Sequence, residues 1–119
     1  MSAVTDLLAH CPFLEAPLRL EARLDDEDFE LATVVYGGVA RLLVEDRLPA
    51  EQADAVFAWF NVLAERGSDD EVLGTGAIEL LNDTPAAQRL ARGKLTGRAL
   101  AMLEEYRVSW GQPDYGAAQ

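Results

Sequence analysis

A weakly charged stretch in the first half of the chain constrains the fold more than any other feature. It is Phe29–Val44, with the sequence FELATVVYGGVARLLV, and its only charged residues are Glu30 and Arg41, although 26% of the whole chain is charged. Apolar side chains gain free energy on leaving water, so such a stretch belongs in the interior. Its secondary structure therefore decides the fold class.

Two secondary structures compete for this stretch. A helix is favoured by apolar residues at i, i+3, i+4 and i+7, and by the acidic residues before it, where Asp28 can cap free N–H groups. The alternative is a β-hairpin, with strands Leu31–Tyr36 and Val39–Val44 around a turn at Gly37 and Gly38. We expect the helix. Its two glycines cost about 1 kcal/mol each relative to alanine, which close approach of a neighbouring helix would offset. The apolar residues at helical spacing are Phe29, Ala32, Tyr36, Val39, Ala40 and Leu43.

Prolines, glycines and threonines mark the ends of further helices. Pro49 and Pro85 suit the first position of a helix, and Thr84 suits the cap before it. Gly67 can end the helix that Pro49 begins, because glycine readily adopts the left-handed conformation. A last helix is expected from Thr96, and the N-terminal segment reads as two short helical pieces.

Residues 59–83, WFNVLAERGSDDEVLGTGAIELLND, look like a HEAT or armadillo helical pair. No second copy follows at a fixed period, so we expect one helical hairpin and not a solenoid. Together these patterns predict an all-α fold of five or six helices. We expect a single domain at residues 1–111 and a flexible tail at residues 112–119, where no periodicity is found.

Composition narrows the classes of function. The chain has 10 basic and 21 acidic residues, a formal net charge of −11, which argues against direct binding to nucleic acid or to an anionic membrane. No apolar run reaches the length of a membrane span. The first residues lack the pattern of a secretory signal, and Cys11 is the only cysteine. We expect a cytoplasmic protein.

Motifs for catalysis, metal binding or cofactor binding are not found. The single histidine, His10, excludes the common zinc and di-iron motifs, and its neighbour Cys11 makes a weak candidate for a thiolate–imidazole pair. Gly74 and Gly76 flank Thr75 within a helical pattern, which indicates close helix packing and not a phosphate loop. We therefore expect a protein that is not an enzyme and uses no cofactor.

Acidic residues form the most informative group. If the central helix and the helix that begins at Pro49 are antiparallel neighbours, acidic residues before the first and after the second share one end of the domain. Compensation of helix dipoles explains such residues, and so does a docking surface for a basic partner protein. The predicted partner-binding residues, called the acidic surface below, are Asp25, Asp26, Glu27, Asp28, Glu30, Glu65, Asp69, Asp70 and Glu71.

Basic and aromatic residues supply weaker candidates. Residues 87–107 carry five basic and two acidic side chains. Arg89, Arg92 and Lys94 could bind a phosphate or an acidic partner, or pair with Glu104 and Glu105, and we expect them to be paired internally or solvated. Aromatic residues anchor many interfaces. We expect Trp59 and Trp110 at the margin of the core and find no structural role for Tyr115.

The order of elements over residues 29–111 resembles small all-helical bacterial immunity proteins of toxin systems and their relatives. The resemblance rests on the apolar central helix, then WFNVLAERG, SDDEVLGTGAIELLND and a last helix that ends in YRVSWG. It implies a non-enzymatic protein that binds and blocks a toxin made by the same cell. Two alternatives stay open: an acidic regulator that imitates nucleic acid, and a small-ligand binder or enzyme.

Overall fold

A computed structural model describes residues 2–116 of the chain, and it is all-helical over this range. This range also contains a π-helical segment at Val72–Ile78 and two 3-10 turns, at Pro12–Leu14 and Asp28–Glu30. The prediction of an all-α fold is confirmed. The described part contains seven α-helices, whereas we expected five or six. They are α1 Ala3–His10, α2 Glu15–Leu20, α3 Ala32–Val44, α4 Ala50–Arg66, α5 Glu79–Leu81, α6 Pro85–Lys94 and α7 Gly97–Ser109.

The central stretch is helical, so the β-hairpin at Gly37 and Gly38 is wrong. The helix nevertheless begins at Ala32 and not at Phe29. Asp25 and Asp28 accept hydrogen bonds from each other's backbone N–H, both at 2.9 Å, and close a separate turn before α3. Asp28 therefore caps that turn and not α3, whose N-cap residue makes no side-chain hydrogen bond.

Glycines let α3 and the π-helical segment approach each other closely. A Cβ atom at Gly37 would lie 3.3 Å from the carbonyl oxygen of Gly76. A Cβ atom at Gly76 would lie 2.9 Å from Cβ of Tyr36 and 3.0 Å from the carbonyl oxygen of Thr33. The predicted compensation for glycine in α3 and the packing role of Gly76 are confirmed.

The order of contacts between α3 and α4 is antiparallel, but these helices meet mainly through side chains, and the π-helical segment is the close neighbour of α3. Near the start of α3, the ring of Tyr36 lies 6.0 Å from that of Phe60 in the second half of α4. Near the end of α3, Leu43 borders the same cavity as Ala53 in the first half of α4. The predicted stop at Gly67 is also confirmed, since this residue has φ +76° and its N–H donates to the carbonyl of Leu63.

A buried chain of hydrogen bonds joins three helices in the core. The hydroxyl of Tyr36 in α3 donates to the carbonyl of Ala3 in α1, at 2.9 Å. The same hydroxyl accepts from Nε1 of Trp59 in α4, at 3.1 Å. Trp59 is only 2% exposed and belongs to the core itself. Trp110 is 58% exposed, so its expected place at the core margin is wrong.

Within residues 2–116, no helix combines the length and the apolar character that crossing a bilayer requires.

Candidate functional site

The first part of the acidic surface is the turn before α3. Asp25, Asp26, Glu27 and Glu30 are exposed, and Asp28 is half-buried. Asp26 pairs with Arg19 of α2 at 2.9 Å, and the guanidinium of Arg19 lies 4.4 Å from the ring centre of Phe29. These contacts hold the turn against α2 and leave most of its carboxylates directed to solvent.

The second part of the acidic surface lies at the end of α4 and in the turn after it. Arg98 of α7 donates both Nη atoms to the carboxylate of Asp70, one of them at 2.7 Å, and this contact lowers the pKa of Asp70. Glu65 accepts a hydrogen bond from the backbone N–H of Arg98 at 2.9 Å. Asp69 and Glu71 flank this contact. The second part is therefore anchored to α7 through a single arginine.

The two parts of the acidic surface lie before the start of α3 and around the end of α4, respectively. The contacts with Arg19 and Arg98 belong to different neighbouring helices, and each part keeps its own anchor. A joint docking face formed by both parts stays a prediction.

The basic residues are largely neutralised within the molecule. Of the ten basic side chains, all within residues 2–116, eight form ion pairs with carboxylates, and Arg23 and Arg89 form none with the described residues. Only two of the nine carboxylates of the acidic surface, Asp26 and Asp70, are in such pairs. Twelve of the 21 carboxylates form no ion pair with the described residues, and seven of these twelve belong to the acidic surface.

Arg92 and Lys94 pair with carboxylates of the same chain, and Arg89 is exposed, as the expectation of internal pairing or solvation has it. Arg92 pairs with Glu104 at 2.6 Å and with Asp114 at 2.8 Å, while Lys94 pairs with Asp54 at 2.7 Å. The hydrogen bond from Arg92, followed by that from Arg107, lowers the pKa of Glu104. The expected pairing of Arg92 with Glu104 is confirmed. Arg89 is exposed and forms no ion pair with the described residues.

His10 and Cys11 do not form a catalytic pair. Cys11 is 1% exposed, its thiol points toward the carbonyl of Ala55 at 3.9 Å, and burial raises the pKa of this thiol. His10 is exposed and stacks on the ring of Trp59, with ring centres 4.1 Å apart. The thiolate is the reactive form of cysteine, and the buried site disfavours it.

Cys11 should therefore react slowly in the folded protein. We expect a chromogenic disulfide reagent to modify Cys11 at least about tenfold more slowly in buffer than in concentrated urea, because the buried thiol is inert until the core opens. The measurement is the rate of thiol release at fixed pH. Equal rates in the two solvents would show that Cys11 is accessible in the native state.

Two cavities open between the helices. One, of about 190 Å³, lies between α3, α4 and α6 and is lined mainly by apolar side chains such as Leu42, Phe57 and Leu90. The other, of about 200 Å³, lies beside α6 and includes Arg89 and Tyr115 in its wall. Both are smaller than the roughly 300–1,000 Å³ typical of small-ligand sites. In the described part of the chain, no group of three or more His, Cys, Asp or Glu side chains is placed to hold a metal ion.

Sequence reasoning missed a polar cluster beneath the end of the chain. Asn82 and Gln88 are buried, and Gln88 makes hydrogen bonds to the backbone of Pro113 and of Tyr115. Residues 112–116 thus have defined partners, although we expected residues 112–119 to form a flexible tail; residues 117–119 lie outside the described range. The sequence offered one signal of this polar cluster, because the periodicity of α6 places Gln88 on the buried side of the helix.

Comparisons with protein-family models, with curated proteins and with solved structures found no match to this chain.

Proposed function

We propose that this chain is a non-enzymatic immunity protein that binds a toxin through the acidic surface and neutralises it. The supporting observation is the distribution of ion pairs. Eight of ten basic side chains are occupied within the molecule, while seven of the nine carboxylates of the acidic surface have no cationic partner among the described residues. A protein with this distribution attracts a basic surface and repels a polyanion.

The proposed partner is a toxin domain with a cationic cleft, such as that of a nuclease. Complementary charge accelerates the encounter and fixes the orientation of the partners more than it adds to net affinity. Rapid capture is what an antagonist of a toxin requires. The antiparallel pair of α3 and α4 supplies a rigid support for the carboxylates. We also propose that the HEAT-like hairpin expected from residues 59–83 is formed by two helical stretches. The first is α4, and the second is the π-helical segment together with α5.

Affinity capture from lysate of the native host, at low and at high salt, tests the proposal. Mass spectrometry of the retained proteins should identify a single basic toxin domain, held in stoichiometric amount at low salt. Recovery of a housekeeping protein that binds DNA, displaced by added DNA, would contradict toxin neutralisation and favour imitation of nucleic acid. Capture of no protein at either salt concentration would count against a protein-binding function.

Charge reversal tests the acidic surface itself. We expect replacement of Asp25, Asp26, Asp69 and Asp70 with lysine to lower the association rate with the captured partner by about tenfold or more, because steering by the surface field is lost. Stopped-flow or surface plasmon resonance measures this rate. Circular dichroism must show that the fold persists, since Asp26 and Asp70 also form ion pairs.

A matched variant controls for net charge. Replacing Glu21, Glu45, Glu51 and Glu105 with lysine makes the same change of charge at exposed positions outside the acidic surface. Long-range attraction would weaken somewhat in this control, but the specific contact would persist. If both variants slow association equally, the acidic surface is not the docking site.

A further inference from the structure

The end of the described chain is bound to α6 in the manner of a peptide ligand. We call residues 112–116, with the sequence QPDYG, the C-terminal segment. It follows Gly111, whose φ of +67° turns the chain back after α7. The side chain of Gln88 donates from Nε2 to the carbonyl of Pro113 at 3.0 Å and accepts at Oε1 from the N–H of Tyr115 at 2.9 Å.

These two hydrogen bonds contact only the backbone of the C-terminal segment, so they do not depend on its side chains. One amide side chain satisfies a carbonyl and the N–H two residues later, so the main chain of the segment supplies these contacts. Gln88 is only 1% exposed, and Asn82 holds it in place by accepting from its Nε2 at 3.2 Å. Asn82 is in turn fixed by donating to the carbonyl of Leu103 at 3.0 Å. The side-chain amide of Gln88 is therefore held in a fixed position.

Side-chain contacts add selectivity for one kind of peptide. The carboxylate of Asp114 accepts from Nη1 of Arg92 at 2.8 Å. The hydroxyl of Tyr115 donates to the carbonyl of Asp83 at 3.3 Å. A carboxylate followed directly by an aromatic residue with a polar tip is thus the pattern that this groove accepts.

The chain's own segment is an imperfect occupant of the groove. Oε1 of Gln112 is buried without a hydrogen-bond partner among residues 2–116, and such an atom destabilises the bound segment. The other contacts of the segment are polar, and they include a hydrogen bond from Nε2 of Gln112 to the carboxylate of Asp83 at 2.8 Å and the ion pair of Asp114 with Arg92. Beside Tyr115 lies the cavity of about 200 Å³, with the exposed Arg89 in its wall. A partner segment that forms the same contacts and leaves no buried oxygen unpaired competes with the chain's own segment, and the groove continues past Tyr115 into this cavity.

We propose that the groove of Asn82, Asp83, Gln88 and Arg92 binds a short segment of a partner protein, in which a carboxylate precedes an aromatic residue. The chain's C-terminal segment occupies this groove until the partner segment displaces it. The site uses none of the residues of the acidic surface, so it is independent of the proposed toxin binding.

A labelled peptide tests the proposal on the full chain. The probe is fluorescein-labelled GQPDYG, and the readout is fluorescence anisotropy. We expect the Asp114→Ala, Tyr115→Ala double variant to bind this probe at least about tenfold more tightly than the wild-type chain, because the tethered competitor, which acts at a high effective concentration, is weakened. The probe GQPNYG, which lacks the carboxylate, should bind weakly, and adding Arg92→Leu to the double variant should weaken binding of GQPDYG.

Three results would overturn the proposal. A folded double variant that binds GQPDYG no better than the wild type, or that binds both probes equally, shows that the groove does not select this pattern. If the double variant loses its helical circular dichroism, the single Asp114→Asn variant takes its place, and an unchanged affinity for the probe overturns the proposal there. A dimer formed by exchange of C-terminal segments, seen by size-exclusion chromatography without peptide, would assign the groove to a second copy of the chain.

Discussion

Replacing Gly76 with alanine should destabilise the fold by about 1–3 kcal/mol, the range for overpacking a core. The added methyl group would lie 2.9 Å from Cβ of Tyr36 and 3.0 Å from the carbonyl oxygen of Thr33. These atoms belong to or adjoin the backbone of α3 and cannot move aside as the end of a flexible side chain could. The helices must separate, which loosens the packing of α3 against the π-helical segment. Urea denaturation followed by circular dichroism measures the change in the free energy of unfolding.

Gly93→Ala is the matched control for Gly76→Ala. Gly93 lies in α6, and a Cβ atom there would meet no other atom within 4 Å. The same chemical change should therefore stabilise the protein by roughly 0.4–1 kcal/mol, because alanine reduces the conformational freedom of the unfolded chain. If both substitutions change stability by the same amount, close approach of α3 is not what requires glycine at position 76.

Raising the pH above 10 should destabilise the protein through Tyr36. Burial, only partly offset by the hydrogen bond from Trp59, raises the pKa of Tyr36 from 10.0 to about 12, with smaller contributions from Asp69 and Asp6. The folded state thus favours the neutral hydroxyl. The stabilisation is fully present below pH 10 and is lost as the pH rises through about 12. A shift of this size corresponds to about 3 kcal/mol.

Tyr36→Phe isolates this effect from the other groups that titrate at high pH. The variant lacks the ionisable hydroxyl and leaves Nε1 of Trp59 without its acceptor, so it should be less stable than the wild type at neutral pH. The difference between the two proteins in the free energy of unfolding should shrink between pH 10 and pH 12. A difference that stays constant over this range would mean that folding does not raise the pKa of Tyr36. Denaturation curves at several pH values supply the comparison.

Much of the fold could be predicted from the sequence, because the ends of a helix depend on residues close to them in the chain. The helix start at Thr84 and Pro85 and the stop at Gly67 depend on residues within one turn, and both are confirmed: the Thr84 hydroxyl accepts from the N–H of Ala87 at 3.1 Å. The start of α3 was misplaced because Asp25 and Asp28 bind each other, an arrangement that competes with capping of the helix.

The candidate site was less predictable because its contacts join distant parts of the chain. Asp70 and Arg98 are 28 residues apart, and no local pattern links them. The contacts of Tyr115 were missed for the same reason, since Gln88 recognises the backbone of the C-terminal segment and backbone recognition leaves no periodicity in the sequence. Composition revealed the excess of carboxylates, but only the folded chain shows which of them have cationic partners.

The π-helical segment has an evolutionary consequence. A π turn closes between residues i and i+5, so it holds one residue more than an α turn. A one-residue insertion at this point therefore widens a single turn of the buried helix. The residues that follow, Leu81 and Asn82, keep their buried positions. Thr75 is exposed while Gly74 and Gly76 on either side are buried, so Thr75 is the residue whose loss would disturb packing least. Relatives of this chain that differ by one residue in length are expected to differ here.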